Sequence, residues 1–186
     1  MNNQNNIDRV YTVCIPPETK GKTLLLEIRE LSKEELELQS ESGEPIQCPT
    51  LGYLQKAVEG DIECFRLRLL PQPEEEGPII DYLGWVNEEG QRLEMKFNLF
   101  ASMLYGGDIL GPLVITGDDG FEAAPAFTIA EVVELRDHIF EVLQAILRMI
   151  NSSGLYMVGI RVPWRDPEDL IIHEITAKKR TASKGE

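Results

Sequence analysis

One of the chain's two histidines, His138, stands where a metal ligand could be of use. It follows Glu134 by one helical turn and precedes Glu141 by three residues, so all three side chains can share one side of a helix. Helical di-metal sites use such Glu and His spacing, but they draw matching ligands from other helices. The only other histidine is His173, so the trio reads as a hydrophilic helix face and no metal is expected. Asp118-Asp119 and Glu74-Glu75-Glu76 lack the alternating ligand spacing of an EF-hand loop and read as exposed acidic loops. Cys14, Cys48 and Cys64 are odd in number and widely separated, with no C-x-x-C pair. That pattern fits free thiols in a reducing compartment, with Cys64, among strand residues, as a small core side chain. There is no G-x-S-x-G elbow, no glycine-rich phosphate loop and no H-E-x-x-H. No catalytic residue and no cofactor follow, and the expectation is a non-enzyme. Two scattered carboxylates, which need no local motif, and a pairing of Cys14, Cys48 or Cys64 with His138 or His173, which nothing in the sequence places together, are the catalytic arrangements left open.

Acidity is the chain's strongest compositional feature. Its 186 residues hold 32 Asp and Glu against 18 Lys and Arg, a formal charge of −14. Residues 1–177 carry 31 acids and 14 bases, or −17, because Lys178, Lys179, Arg180 and Lys184 sit in the last nine positions. Such a body repels phosphate backbones, so direct nucleic-acid binding by the folded part is not expected. Glu30, Glu34, Glu35, Glu37, Glu41 and Glu44 form the densest cluster. They are interleaved with Leu31, Leu36 and Leu38, so a solvated surface explains them better than mimicry of nucleic-acid charge. No apolar run approaches the roughly 18 residues of a membrane span. The polar start, residues 1–8, lacks the basic and apolar regions of a secretory signal. A cytoplasmic protein is expected.

The hydrophobic pattern supplies the elements that must position any site. Strands are expected over residues 10–15, 23–29, 61–70, 79–86, 91–95, 109–116, 155–162 and 170–175. Ser32 and Glu35 form a capping box and predict a short helix over 33–40. Thr50 caps a helix over Leu51–Val58, with Leu51, Leu54 and Val58 on its apolar face and Gly60 as its stop. Asn87-Glu88-Glu89-Gly90 has turn chemistry and predicts a hairpin between 79–86 and 91–95. Asn98 caps a helix over Leu99–Tyr105, closed by Gly106-Gly107. The longest helix, over 128–150, starts at the Thr128/Glu131 capping box. Ile129, Val132, Val133, Ile139, Phe140, Leu143, Ile146, Leu147 and Ile150 form its apolar stripe. The tail, 178–186, is expected to be disordered and dispensable for folding.

Residues 51–117 resemble a small domain of unknown function found in phage, plasmid and bacterial proteins. The likeness lies in Leu54-Gln55-Lys56-Ala57-Val58-Glu59-Gly60-Asp61-Ile62-Glu63 and Val86-Asn87-Glu88-Glu89-Gly90. It continues in Asn98-Leu99-Phe100-Ala101-Ser102 and in Ile109-Leu110-Gly111-Pro112-Leu113-Val114-Ile115. Glu59 stands where that family usually has Gly. The resemblance implies no activity and points toward a mobile-element or accessory role. Its shared polar positions, Glu63, Asn87, Glu88, Glu89 and Asn98, are the candidate ligand-binding residues. The alternative for each is structural, because turn, cap and hydrogen-bond roles account for these residue types unaided.

The expected fold is α+β: a mostly antiparallel sheet with short helices and the long amphipathic helix packed on one face. Residues 1–177 form one globular domain, with 51–117 as its family-like core and 128–177 as added helix and strands. The expected function is that of a non-catalytic accessory or interaction protein of a phage, plasmid or bacterial host, acting on another protein through its acidic surface. A small-ligand or nucleotide-binding module is the first alternative and an enzyme of unrecognised type the second.

Overall fold

Strand β1 (Tyr11–Ile15) is buried at all five positions, which requires cover on both faces of the sheet it joins. The structure, a computed structural model, describes residues 9–17, 26–39, 45–69, 80–119, 123–152, 160–163 and 172–175. β1 lies between β2 (Glu27–Glu30) and β7 (Leu113–Gly117), and the sheet continues through β6 (Ile80–Asn87) to β5 (Ile62–Leu69). The order is β2-β1-β7-β6-β5, with every neighbouring pair antiparallel. Two ribbons complete the strands: β3 (Leu36–Gln39) with β4 (Ile46–Pro49), and β8 (Ile160–Pro163) with β9 (Ile172–Ile175). The fold is α+β.

Side chains alternate across the pleat, so the sheet carries two different cores. On one face Val13, Ile15, Leu67, Leu69, Tyr82, Val86, Leu113 and Ile115 meet α2 (Leu99–Tyr105) and α3 (Ile129–Ser152). Phe65 lies over Gly84, where an added Cβ would come within 2.7 Å of its ring, so only glycine fits beneath it. From α3 the fully buried residues among those described are Val132, Leu135, Ile139 and Leu143, at helical spacings of three, four and four; the side chains of Leu147 and Ile150 lie outside the described residues. Leu135 joins the stripe read from the sequence, whereas Ile129 is exposed and Val133 and Phe140 are half-buried at its margin. On the other face α1 (Leu51–Val58) covers Cys14 and Val114 with Tyr53, Leu54, Ala57 and Val58. Leu51, expected on that face, is exposed, and Tyr53 packs there instead, bonding Thr12.

Caps are where sequence and structure agree most closely. Thr50 accepts from the Tyr53 amide, Asn98 from the Ala101 amide, and Glu131 from both the amide and hydroxyl of Thr128. Three expectations change. The Ser32/Glu35 box closes only a 3₁₀ turn, Lys33–Glu35, and residues 36–39 extend as β3, because pairing with β4 gives Leu36–Gln39 a ladder. Glu59, not Gly60, takes the left-handed cap of α1, at φ 67°. Residues 91–95 form no strand: amides of Gly90, Leu93, Glu94 and Met95 bond carbonyls three to five residues back. The chain coils after Asn87 rather than returning as a hairpin, and β6 pairs with β5 and β7 instead. The acidic run 74–76 and the basic tail 178–186 lie outside the described residues.

Candidate functional site

At the end of the sheet where β5 begins and β6 finishes, the stop of α2 at Gly106 leaves the sheet uncovered. An open groove of about 420 Å³ results. Glu63 and Phe65 come from β5, Val86 and Asn87 from β6, Glu88 from the coil that follows, and Tyr105 and Asp108 from the end of α2 and its loop. Phe97 closes one side, held by its bridge to Leu110. Tyr105 stacks on Phe65 with ring centroids 4.4 Å apart and a tilt of 48°. Phe97 and Tyr105 remain 48% and 49% exposed, so each offers an aromatic surface to the groove.

The five sequence-predicted residues fall into two groups. Glu63 and Glu88 line the groove and are exposed. Asn87 also lines it, but its amide is spent inward. Nδ2 donates to the carbonyls of Glu59 (3.0 Å) and Val58 (3.4 Å), and Oδ1 accepts from the Glu89 amide at 2.8 Å. Gly60 lets it approach, since a Cβ there would lie 2.4 Å from Nδ2. Asn98 is wholly buried away from the groove. It donates to the carbonyls of Ile15 (2.8 Å) and Gly111 (2.9 Å) while capping α2. Glu89 is engaged with Arg92. Sequence reading missed Asp108, Phe97 and Tyr105. A half-exposed aromatic at the end of a short amphipathic helix was the available signal.

Among the described residues, Glu63, Glu88 and Asp108 make no side-chain hydrogen bond or ion pair. Three acids beside two aromatic faces favour a cation. The carboxylates attract it and the rings add roughly 0.5–1 kcal/mol at such an exposed site.

A second, smaller cleft of about 230 Å³ opens between β6 and α3, lined by Tyr82, Asp118, Phe127, Glu131 and Glu134. His138, weighed as a ligand, meets Tyr82 there, with Oη 3.1 Å from Nδ1. Burial, then Glu134 and Glu131, push the Tyr82 hydroxyl up to about 12, keeping it protonated rather than a base. Among the described residues no three His, Cys, Asp or Glu side chains are placed to hold a metal.

The thiols are equally unready for nucleophilic work. Burial pushes Cys14 up to about 12. Cys64, expected in the core, is exposed, because β5 is an edge strand opposite the face α3 covers. Partial desolvation and the Asp118 carboxylate still push it up to about 11.

No protein-family model, curated protein or solved structure matches this chain. No helix among the described residues is long and apolar enough to cross a membrane.

Proposed function

We propose that this protein is a non-catalytic interaction module that takes a basic segment of a partner protein into the groove beside β5. The observation that carries this reading is the convergence of Glu63, Glu88 and Asp108, none of them engaged elsewhere among the described residues, on the exposed rings of Phe97 and Tyr105. A net charge of −14 draws a cationic partner in and keeps nucleic acid out. The groove is open rather than enclosed, and of its two amides Asn87 is committed to the backbone of α1, leaving the exposed Gln91. A small ligand needing convergent hydrogen bonds is therefore less well served than a lysine or arginine side chain. The resemblance of residues 51–117 suggests an accessory role in a phage, plasmid or bacterial host, and the polar, signal-free start of the sequence suggests the cytoplasm.

Calorimetric titration with a short lysine-rich peptide tests the reading. Binding is expected to weaken as salt rises, since screening shortens the reach of the carboxylates. The triple variant E63Q/E88Q/D108N is expected to bind at least tenfold more weakly. Unchanged affinity in that variant would remove the groove from the function.

A further inference from the structure

β5 ends the five-stranded sheet, and among the described residues no strand pairs with its outer edge. It is eight residues long, twice the length of β2 at the opposite edge. A strand of that length left unpaired presents a row of amides and carbonyls that can template another chain. Its register with β6 fixes which side chains lie on which face. Glu63 is opposite Val86 and Phe65 opposite Gly84, on the groove side, while Cys64 is opposite Trp85 and Arg66 opposite Leu83, on the other. The groove therefore begins at the edge itself, and a chain added to β5 would set every second side chain beside Glu63 and Phe65.

We propose that the partner segment binds as an extended strand along β5, with basic residues at every second position facing the groove. This deepens the groove reading and rests on it. Backbone pairing would supply affinity, and alternate side chains would supply selectivity. Charge decides the periodicity. A lysine on the groove face meets Glu63, with Glu88 and Asp108 nearby, whereas a lysine on the opposite face meets Arg66, already paired with Asp118. Charge also argues against a second copy of this chain on the same edge, because two bodies at −14 repel.

Three eight-residue peptides of identical charge separate the possibilities: alternating Lys and Val, the same sequence N-methylated at alternate amides, and a block of four Lys followed by four Val. The alternating peptide is expected to bind tightest and to slow hydrogen exchange of amides within residues 62–69. N-methylation and block order are each expected to weaken binding at least tenfold. Equal binding of all three, without added protection in β5, would overturn strand addition while leaving the groove reading intact. Binding of none would overturn both. Dimers of the free protein that protect the same amides would also overturn the proposal, since the edge would then belong to a second copy.

Discussion

The groove beside β5 and the cleft between β6 and α3 are built from the same kinds of side chain, carboxylates next to aromatic rings, yet they spend their polar atoms differently. In the cleft those atoms turn inward. Tyr82 bonds His138 and so ties the sheet to α3. Asp118, its side chain only 5% exposed, pairs with Arg66 at 3.1 Å, and Glu131 caps Thr128. In the groove, Glu63, Glu88 and Asp108 have no such work among the described residues. Asn87 behind them, and Asn98 deeper in the core, bond the backbone instead. The difference teaches that residue type does not mark a site. What marks it is polar capacity left over after the fold has taken its share.

The largest expected effect comes from removing scaffold. Asn98→Ala leaves the Ile15 and Gly111 carbonyls unpaired in the core and strips the cap of α2. A loss of about 3 kcal/mol in urea unfolding is expected. A loss below about 1 kcal/mol would show that water replaces the amide and that Asn98 was available for binding after all.

The cleft has a pH signature. Tyr82 ordinarily titrates near 10.0 and is pushed up to about 12 in the folded protein. The folded state therefore keeps a proton that the unfolded chain releases between those values. The stability contributed is complete below pH 10 and is lost as pH rises through 12. Tyr82→Phe is expected to cost about 1 kcal/mol at pH 8, through the lost bond to His138. The deficit is expected to close at about pH 11 and to reverse as pH approaches 12, where the wild type loses about 2 kcal/mol that the variant cannot lose. A deficit constant with pH would show that the hydroxyl is not held protonated by its surroundings.

The smallest expected effect is the most diagnostic. E63Q/E88Q/D108N is expected to leave unfolding free energy within about 0.5 kcal/mol of wild type, as for surface positions outside any network. It removes three negative charges from a chain at −14 and breaks no hydrogen bond among the described residues. If the triple variant is clearly destabilised, the groove is scaffold like the cleft and the comparison collapses.

Local chemistry made much of this legible in advance. Thr50, Asn98 and the Thr128/Glu131 pair cap their helices because a side-chain oxygen three residues from an amide needs nothing beyond its own segment. The strands nearest the centre read clearly because both faces of β1 and β7 are buried. The misreadings were at pairings with distant partners. Residues 36–39 became β3 because residues 46–49 lie alongside them, and residues 91–95 coiled because β6 already had β5 and β7 as neighbours.

The sequence by itself determined the α+β class, the helix starts, the net negative charge and the polar residues at 63, 87, 88, 89 and 98. These depend on periodicity, caps and charge, which act within a few residues or require only a count. Only the tertiary structure decided that Asn87 and Asn98 face inward while Glu63 and Glu88 face a groove completed by Asp108, Phe97 and Tyr105. It alone left β5 at the edge of the sheet, with no strand beyond it among the described residues. Those outcomes follow from which strand pairs with which and where α2 stops over the sheet, and long-range packing sets both.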